Sequence, residues 1–249
     1  VTRNNASGSM LDKAADILDC FRPSGGPYRL SELSVRTGLP KPTVHRLAAD
    51  LVRLGWLERS GTRYRLGAKL FELGSLVPHR LDLREAALPF LQDLFEATRE
   101  TVHLGIRDGM EVVYLERIHG HEALRLPSRI GGSLPLTCTG VGKALLAFSG
   151  EELTEEVLAG PLPSLTAHSI TDPDRLRMAL EKTRVSGLAY EEQEAALGVS
   201  CIAAPVFEGG TAVAALSVAV PRSRFSPAQL APAVRTAALG LSRVLRGAH

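Results

Sequence analysis

Apolar side chains recur along the first third of the chain with helical spacing. Met10, Leu11, Ala14, Ile17 and Leu18 fall at three- and four-residue steps and predict a helix over 10–21. Pro23, Gly25, Gly26 and Pro27 stop it. Ser31 precedes a short predicted helix, Glu32–Thr37, as its N-cap, and Gly38 stands just past its end. Val44, Leu47, Leu51 and Leu54 then form one apolar stripe on a third helix, which Gly55 closes. Two prolines set where that helix begins. Leu39, before Pro40, is pushed out of helical backbone, and Pro42 suits a first helical turn, where its missing N–H costs little. Residues 56–59 and 62–66 flank Ser60-Gly61 and predict a hairpin. Three helices followed by a hairpin, with a tight glycine turn before the third helix, describe a helix-turn-helix with a wing.

Beyond Gly67 the helical spacing returns. Leu70, Phe71, Leu73 and Leu76 predict a helix over 68–77, broken by Pro78-His79-Arg80. It carries more apolar surface than a lone linker needs and is a candidate dimer contact, with ordinary packing as the alternative. A long amphipathic helix follows over 82–100, with Pro89 expected to kink or interrupt it. From Thr101 the pattern alternates. A hairpin over 101–107 and 111–118 turns at Asp108-Gly109-Met110, and a Gly-rich strand and loop run over 125–135. Helices are predicted over 139–148, 151–159 and 172–185, and strands over 188–191, 199–207 and 211–220. A closing helix over 227–245 has Ser226 as N-cap and Pro227 in its first turn. Hairpin-joined strands mixed with helices indicate an α+β sensor-like domain rather than a doubly wound nucleotide binder. The expected division is a disordered leader 1–9, a winged helix-turn-helix 10–66, a linker helix 67–80 and a second domain 81–249.

Composition narrows the classes. The chain has 249 residues, 45% hydrophobic and 22% charged, enough apolar side chain for a real core. No apolar run reaches membrane-spanning length, and the start of the chain lacks the apolar region of a secretory signal. Cys20, Cys138 and Cys201 stand far apart, which fits a reducing cytosol and neither a disulfide framework nor a zinc site. Net charge is +2, unevenly spread. Residues 1–66 hold eleven Lys/Arg against six acids, and the remainder holds eighteen against twenty-one. A basic module joined to a slightly acidic one points to a polyanion partner for the first alone.

Candidate DNA contacts follow. Lys41, Thr43, His45 and Arg46 lie off the apolar stripe of the third helix, near its N-terminus. Arg or Lys can bond guanine O6/N7, and Thr can bond a base edge or touch the thymine methyl. Arg59, Arg63 and Arg65 on the hairpin suit backbone phosphate or a minor groove. The competing expectation is a sensor or enzyme domain whose basic module docks another protein.

Two sets of motifs resemble the IclR (isocitrate lyase regulator) family. LSELSVRTGLPKPTVHRLAADLVRLGWLER with YRLGAKLFELG is similar to its winged helix; LPLTCTGVGKALLAF, GLAYEEQEAALGVSCIAAPVF and AALSVAVPRSRF resemble its effector domain. The resemblance spans about Met10 to Leu245. It implies a bacterial, cytoplasmic transcription regulator, more often a repressor, with a GAF-like effector domain. It also implies a homodimer or homotetramer on a palindromic operator. Carried over by motif, the effector pocket falls on Leu126, Leu134, Gly140, Val141, Glu191, Val199, Cys201, Ser217 and Ala219. Four positions depart from the family pattern. Glu191 stands where Asp often occurs, Ala219 replaces a polar residue found in some members, Cys138 replaces a small residue, and Pro42 stands where Ser is usual.

The residues by themselves suggest a compatible ligand. Thr139-Gly-Val-Gly142 opens a helix whose free N–H groups suit a carboxylate. Lys143 adds charge or simply faces solvent, and Ser200, Cys201 and Ser217 add modest polar contacts. A small organic acid fits such a site. Enzyme chemistry is poorly served. TCTGVGKA lacks the first glycine of a phosphate loop and the hydroxyl after Lys143. Of Glu191, Glu192 and Glu194, adjacent strand residues point to opposite faces, so only one is expected in a pocket. His119 and His121 lack a third metal ligand, and no G-x-S-x-G elbow is present. Cys201 is expected to pack rather than attack. No cofactor or metal is expected.

Overall fold

A computed structural model describes residues 8–22, 25–77, 80–120 and 126–247. The predicted leader, Gly8 and Ser9 excepted, lies outside them, as do Pro23, Pro78-His79 and His121. The chain divides into two compact units, 1–78 and 79–249.

In the first unit, Ser9 caps helix α1 (Met10–Asp19) reciprocally. Its hydroxyl accepts the Asp12 N–H at 3.1 Å, and the Asp12 carboxylate accepts the Ser9 N–H at 2.8 Å. A strand that periodicity missed, β1 (Tyr28–Arg29), leads straight into α2 (Leu30–Thr37). Ser31 is therefore inside the helix and not its N-cap. The helix starts earlier because β1 delivers the chain at Leu30, and Glu32 accepts the Arg29 N–H at 2.6 Å. Gly38 takes φ +70°, which a side chain would oppose. Two hydroxyls fix the turn: Thr37 donates to the Leu33 carbonyl at 2.8 Å, and Ser34 to that of Leu39 at 2.7 Å.

Helix α3 (Lys41–Arg53) has Pro40 as N-cap and Pro42 in its first turn. Its buried stripe is Val44, Leu47, Ala48 and Leu51, packed with Ile17, Phe21, Leu33, Leu39, Leu57 and Tyr64. Leu54 does not join it. The helix ends at Arg53, and Leu54 is 48% exposed as its C-cap. Strands β2 (Leu57–Ser60) and β3 (Arg63–Leu66) form the wing; β1 adds to β3, giving the antiparallel order β1-β3-β2. Helix α4 (Ala68–Gly74) completes the unit and leaves Phe71 80% exposed, with Leu73, Leu76 and Val77 also open.

The second unit is built on one antiparallel sheet, β6-β5-β4-β9-β8-β7. Helix α5 (Arg80–Thr98) runs through Pro89 as one element instead of being interrupted there. Strands β4 (Thr101–Asp108) and β5 (Glu111–Ile118) form a hairpin, and β6 (Ser133–Pro135) borders β5. Helices α6 (Gly140–Ala147), α7 (Glu151–Ala159) and α8 (Pro173–Ser186) come next, α8 capped by the Asp172 carboxylate, which accepts the Arg175 N–H at 2.9 Å. Strands β7 (Ala189–Glu192), β8 (Val199–Glu208) and β9 (Thr211–Pro221) precede α9 (Pro227–Gly247).

Strand β9 pairs back with β4, Thr101 opposite Ala219 and His103 opposite Ser217. One sheet face (Val102, Leu104, Ile202, Leu216, Val218) packs on α5 and α9. Gly240 allows that closeness, since a Cβ there would lie 2.6 Å from the Phe90 ring. The other face (Tyr114, Ala189, Ala203, Ala215) packs on α6, whose eight residues are all buried. A register shift in the β4–β5 pair at Leu104/Gly105 breaks the alternation of β5. Glu116 consequently pairs with Arg84 of α5 at 2.6 Å, while Tyr114 faces α6.

Candidate functional site

The first candidate surface is the exposed side of α3 with the wing. Burying Val44, Leu47, Ala48 and Leu51 turns Lys41, His45 and Arg46 to solvent, and Thr43 is half-buried between. Lys41, His45 and Arg46 make no hydrogen bond or ion pair among the described residues, so their donors are free for a partner. The wing arginines differ. Arg65 pairs with Glu58 at 2.6 Å, Arg63 donates to the Pro27 carbonyl at 3.1 Å, and Arg59 donates to the Gly61 carbonyl at 3.0 Å. Register sets Arg63 and Arg65 on one face of the wing. Arg59 shares the other with Tyr64, its guanidinium 6.0 Å from the ring.

The second candidate site is a cavity between the sheet and the N-terminus of α6. Leu126, Leu134, Gly140, Val141, Glu191, Val199, Cys201, Ser217 and Ala219 all line it. Small residues make the room. Thr101, Ala219, Cys201 and Glu191 form one row across the sheet, and His103, Ser217, Ala203 and Ala189 the next. The cavity spans about 400 Å³ of non-atom space including its mouth. Gly140 keeps it open, since a Cβ there would sit 2.5 Å from the Cys201 sulfur.

Thr139, which opens the segment expected to receive a carboxylate, lines it too; His103, Tyr114, Pro127, Ser128, Ala195 and Ala196 also line it and were not among the expected residues. His103 had a signal, being a polar residue within an apolar strand, on the parity of Thr101 and Gly105. Its Nε2 lies 2.8 Å from the Ser128 hydroxyl and its Nδ1 3.4 Å from that of Ser217. Burial, with the charges of Arg117 and His119, holds the ring neutral and its pKa down to about 3. Arg117 also donates to the Ser128 carbonyl, so Ser128 is tied to the sheet at both backbone and side chain.

Glu191 is 3% exposed. Burial pushes its carboxyl up to about 7, against the pull of the Ala195 and Glu194 N–H groups and of Lys143. Its Oε1 accepts the Ala195 N–H at 3.1 Å and a short bond from the Glu194 N–H at 2.5 Å. Burial likewise raises the Tyr114 phenol and the Cys201 thiol, so both stay protonated. Lys143 does not face solvent. It is 2% exposed and forms a buried ion pair with Glu194. Ser200 does not enter the cavity either: strand alternation puts it on the opposite side from Cys201, fully buried and with its hydroxyl unpartnered. Glu192 pairs outside with Arg222 at 3.0 Å. Among the described residues no group of three potential metal ligands occurs, and no helix is long and apolar enough to cross a membrane.

Comparison with known proteins covers both units. The family described as bacterial transcriptional regulator IclR C-terminal matches residues 76–243, and the IclR helix-turn-helix domain matches 10–61. The chain is 37% identical over 242 residues to the HTH-type transcriptional regulator XynR of Escherichia coli K12, covering 94% of this chain and 96% of that protein. It is 36% identical over 205 residues to the regulator KdgR of the same organism, covering 81% and 78%. An IclR homolog from Microbacterium hydrocarbonoxydans, solved in complex with 4-hydroxybenzoate, superposes with a TM-score of 0.87 at 33% identity, covering 96% of this chain and 100% of that one.

Proposed function

Because the chain belongs to the IclR family of bacterial transcriptional regulators, we propose that it holds a palindromic operator with α3 and the wing and releases it when a small organic acid fills the cavity beside α6. It acts as a repressor in the cytoplasm, catalyses no reaction and needs no cofactor. Lys41, Thr43, His45 and Arg46 read or anchor the major groove; Arg59, Arg63 and Arg65 hold the flanking backbone. The exposed apolar side chains of α4 and of the turn after it, led by Phe71 and Leu76, join two copies as a homodimer, which a palindrome requires, or build a tetramer. The effector takes its place among the nine expected lining residues, its carboxylate toward the first turn of α6. The Microbacterium protein's 4-hydroxybenzoate supports an acid.

The observation that carries the DNA reading is the set of unpartnered donors on the first turns of α3, packed rigidly from behind. Genomic DNA captured on the protein and sequenced supplies the operator; failure to enrich any sequence would favour protein docking. In a mobility-shift titration, Arg46→Ala weakens binding by roughly 10- to 100-fold, the range of a good bidentate base contact. Arg65→Ala weakens it less, because Arg65 must first leave Glu58. Equal affinity of Arg46→Ala and the parent chain would remove α3 from the reading head.

A further inference from the structure

One wall of the cavity is a loop. Residues 193–198 join β7 to β8, and Ala195 and Ala196 of that loop line the cavity. The loop holds an unfavourable backbone. Gln193 takes φ +62°, which a side chain opposes, and such a residue persists only where its surroundings fix it. Its own side chain contributes by accepting the Gly198 N–H at 3.0 Å.

The firmer grip comes from a distant segment. Thr166 and Ser169 stand in the connection between α7 and α8, and neither lines the cavity. The Thr166 hydroxyl donates to the Gln193 carbonyl at 2.6 Å, and the Ser169 hydroxyl to the Glu194 carbonyl at 2.8 Å. What each hydroxyl accepts helps to aim its proton. Thr166 accepts the His168 N–H at 3.1 Å; Ser169 accepts those of Leu165 and Thr166 at 3.0 and 3.1 Å.

The same two peptide units also hold Glu191. The Gln193 carbonyl shares its peptide plane with the Glu194 N–H, and the Glu194 carbonyl shares the next with the Ala195 N–H. Both peptides are trans, so in each plane the C=O and N–H point in opposite directions. Both N–H groups end on Glu191 Oε1, at 2.5 and 3.1 Å. Two rigid planes are thus gripped by a hydroxyl at one end and by the Glu191 carboxylate at the other. Turning either plane breaks a bond at both ends. We propose that Thr166 and Ser169 are positioning residues for the cavity: through these two peptide planes they aim the N–H pair that holds Glu191, and they set the wall that Ala195 and Ala196 present to an occupant. The consequence for an occupant rests on the reading of this cavity as the effector site.

Glu191 itself reports the state of the planes. Burial raises its carboxyl to about 7, and the Ala195 and Glu194 N–H groups pull the other way. A hydroxyl on the far carbonyl polarises each peptide and strengthens that pull, so loosening a plane should raise the Glu191 pKa further. The groups around Glu191 do not share its range. Cys201 of β8 and Tyr114 of β5 are held protonated, and His103 of β4 is held neutral. Lys143 of α6 and Glu194 are bonded to each other, and β9 presents Ser217 and Ala219.

The test is a carbon-13 NMR titration of the full chain labelled at its glutamate carboxyls, with no effector added; the Glu191 signal is the one that Glu191→Gln removes. Thr166→Val keeps the side-chain shape and loses the hydroxyl. It should make Glu191 a roughly 3- to 10-fold weaker acid, less than the loss of a whole hydrogen bond to a charged group. Ser169→Ala should act the same way, and Thr166→Ser should keep the parent midpoint. Exchange of the Glu194 and Ala195 amides should quicken in the first two variants and not in the third. Melting curves check folding, and Thr166, half-buried, is the milder site should Ser169→Ala unfold. A lower melting temperature with an unmoved Glu191 midpoint and unmoved amides would reduce the hydroxyls to props of the connection and overturn the proposal. An equal shift in Thr166→Ser would overturn it too. Because no effector is present, either failure leaves the organic-acid reading standing; that reading fails separately, if no acid binds the parent chain.

Discussion

Lys143→Met isolates the buried ion pair of the second unit. Lys143 and Glu194 have side chains 2% and 7% exposed, and the second Glu194 oxygen has no partner. Removing the ammonium strands a carboxylate in a nearly dry site, a change that costs about 3–5 kcal/mol. At about 2–4 °C of melting temperature per kcal/mol for a unit of this size, the second unit's transition should fall by roughly 6–20 °C. Adding Glu194→Gln should return much of that loss, because the uncompensated charge is gone. Removing Lys143 also lifts a downward pull on the Glu191 carboxyl, whose pKa should rise further. Circular dichroism melts of the parent, both single variants and the double variant complete the cycle. A loss below about 1 kcal/mol for Lys143→Met, typical of exposed pairs, would refute the pair as a buried anchor of α6.

Three further outcomes are expected. Gly140→Ala should fill the cavity beside the Cys201 sulfur and abolish acid binding by calorimetry, while operator affinity in a mobility shift stays unchanged. Glu191 titrates at about 7 when folded against 4.5 ordinarily, so the native state holds its proton over a range where the unfolded chain has lost it. Stability therefore falls as pH climbs from 4.5 to 7, by roughly 2–3 kcal/mol, and urea denaturation of Glu191→Gln should show a correspondingly flatter slope. Phe71→Ser should shift the chain toward monomer in sedimentation velocity without lowering its melting temperature, since that ring is 80% exposed.

Helical and strand periodicity located most elements because each buries one regular face. Residues 151–159 match α7, and the hairpin at Asp108-Gly109-Met110 turns as its spacing requires. Strand β1 escaped because two residues cannot show a period, and its loss misplaced the start of α2. In the cavity, Gly140, Cys201 and Ser217 stood inside motifs, whereas Tyr114 depended on the register shift opposite Gly105. Simple alternation would have set Tyr114 and Glu116 on one face; the shift sends them to opposite ones. Lys143 resembled a solvent-facing lysine because its partner lies 51 residues away, beyond any local pattern.

The pairing of β4 with β9 has a consequence for how the chain comes off the ribosome. Thr101 cannot meet Ala219 until 118 further residues exist, and closing so long a loop is slow. At about 5–20 residues per second, the emerging β4 waits roughly 6–24 s for its partner. The first unit, whose elements all lie before residue 79, is complete long before that. Synthesis thus delivers a finished reading head ahead of the chamber meant to govern it.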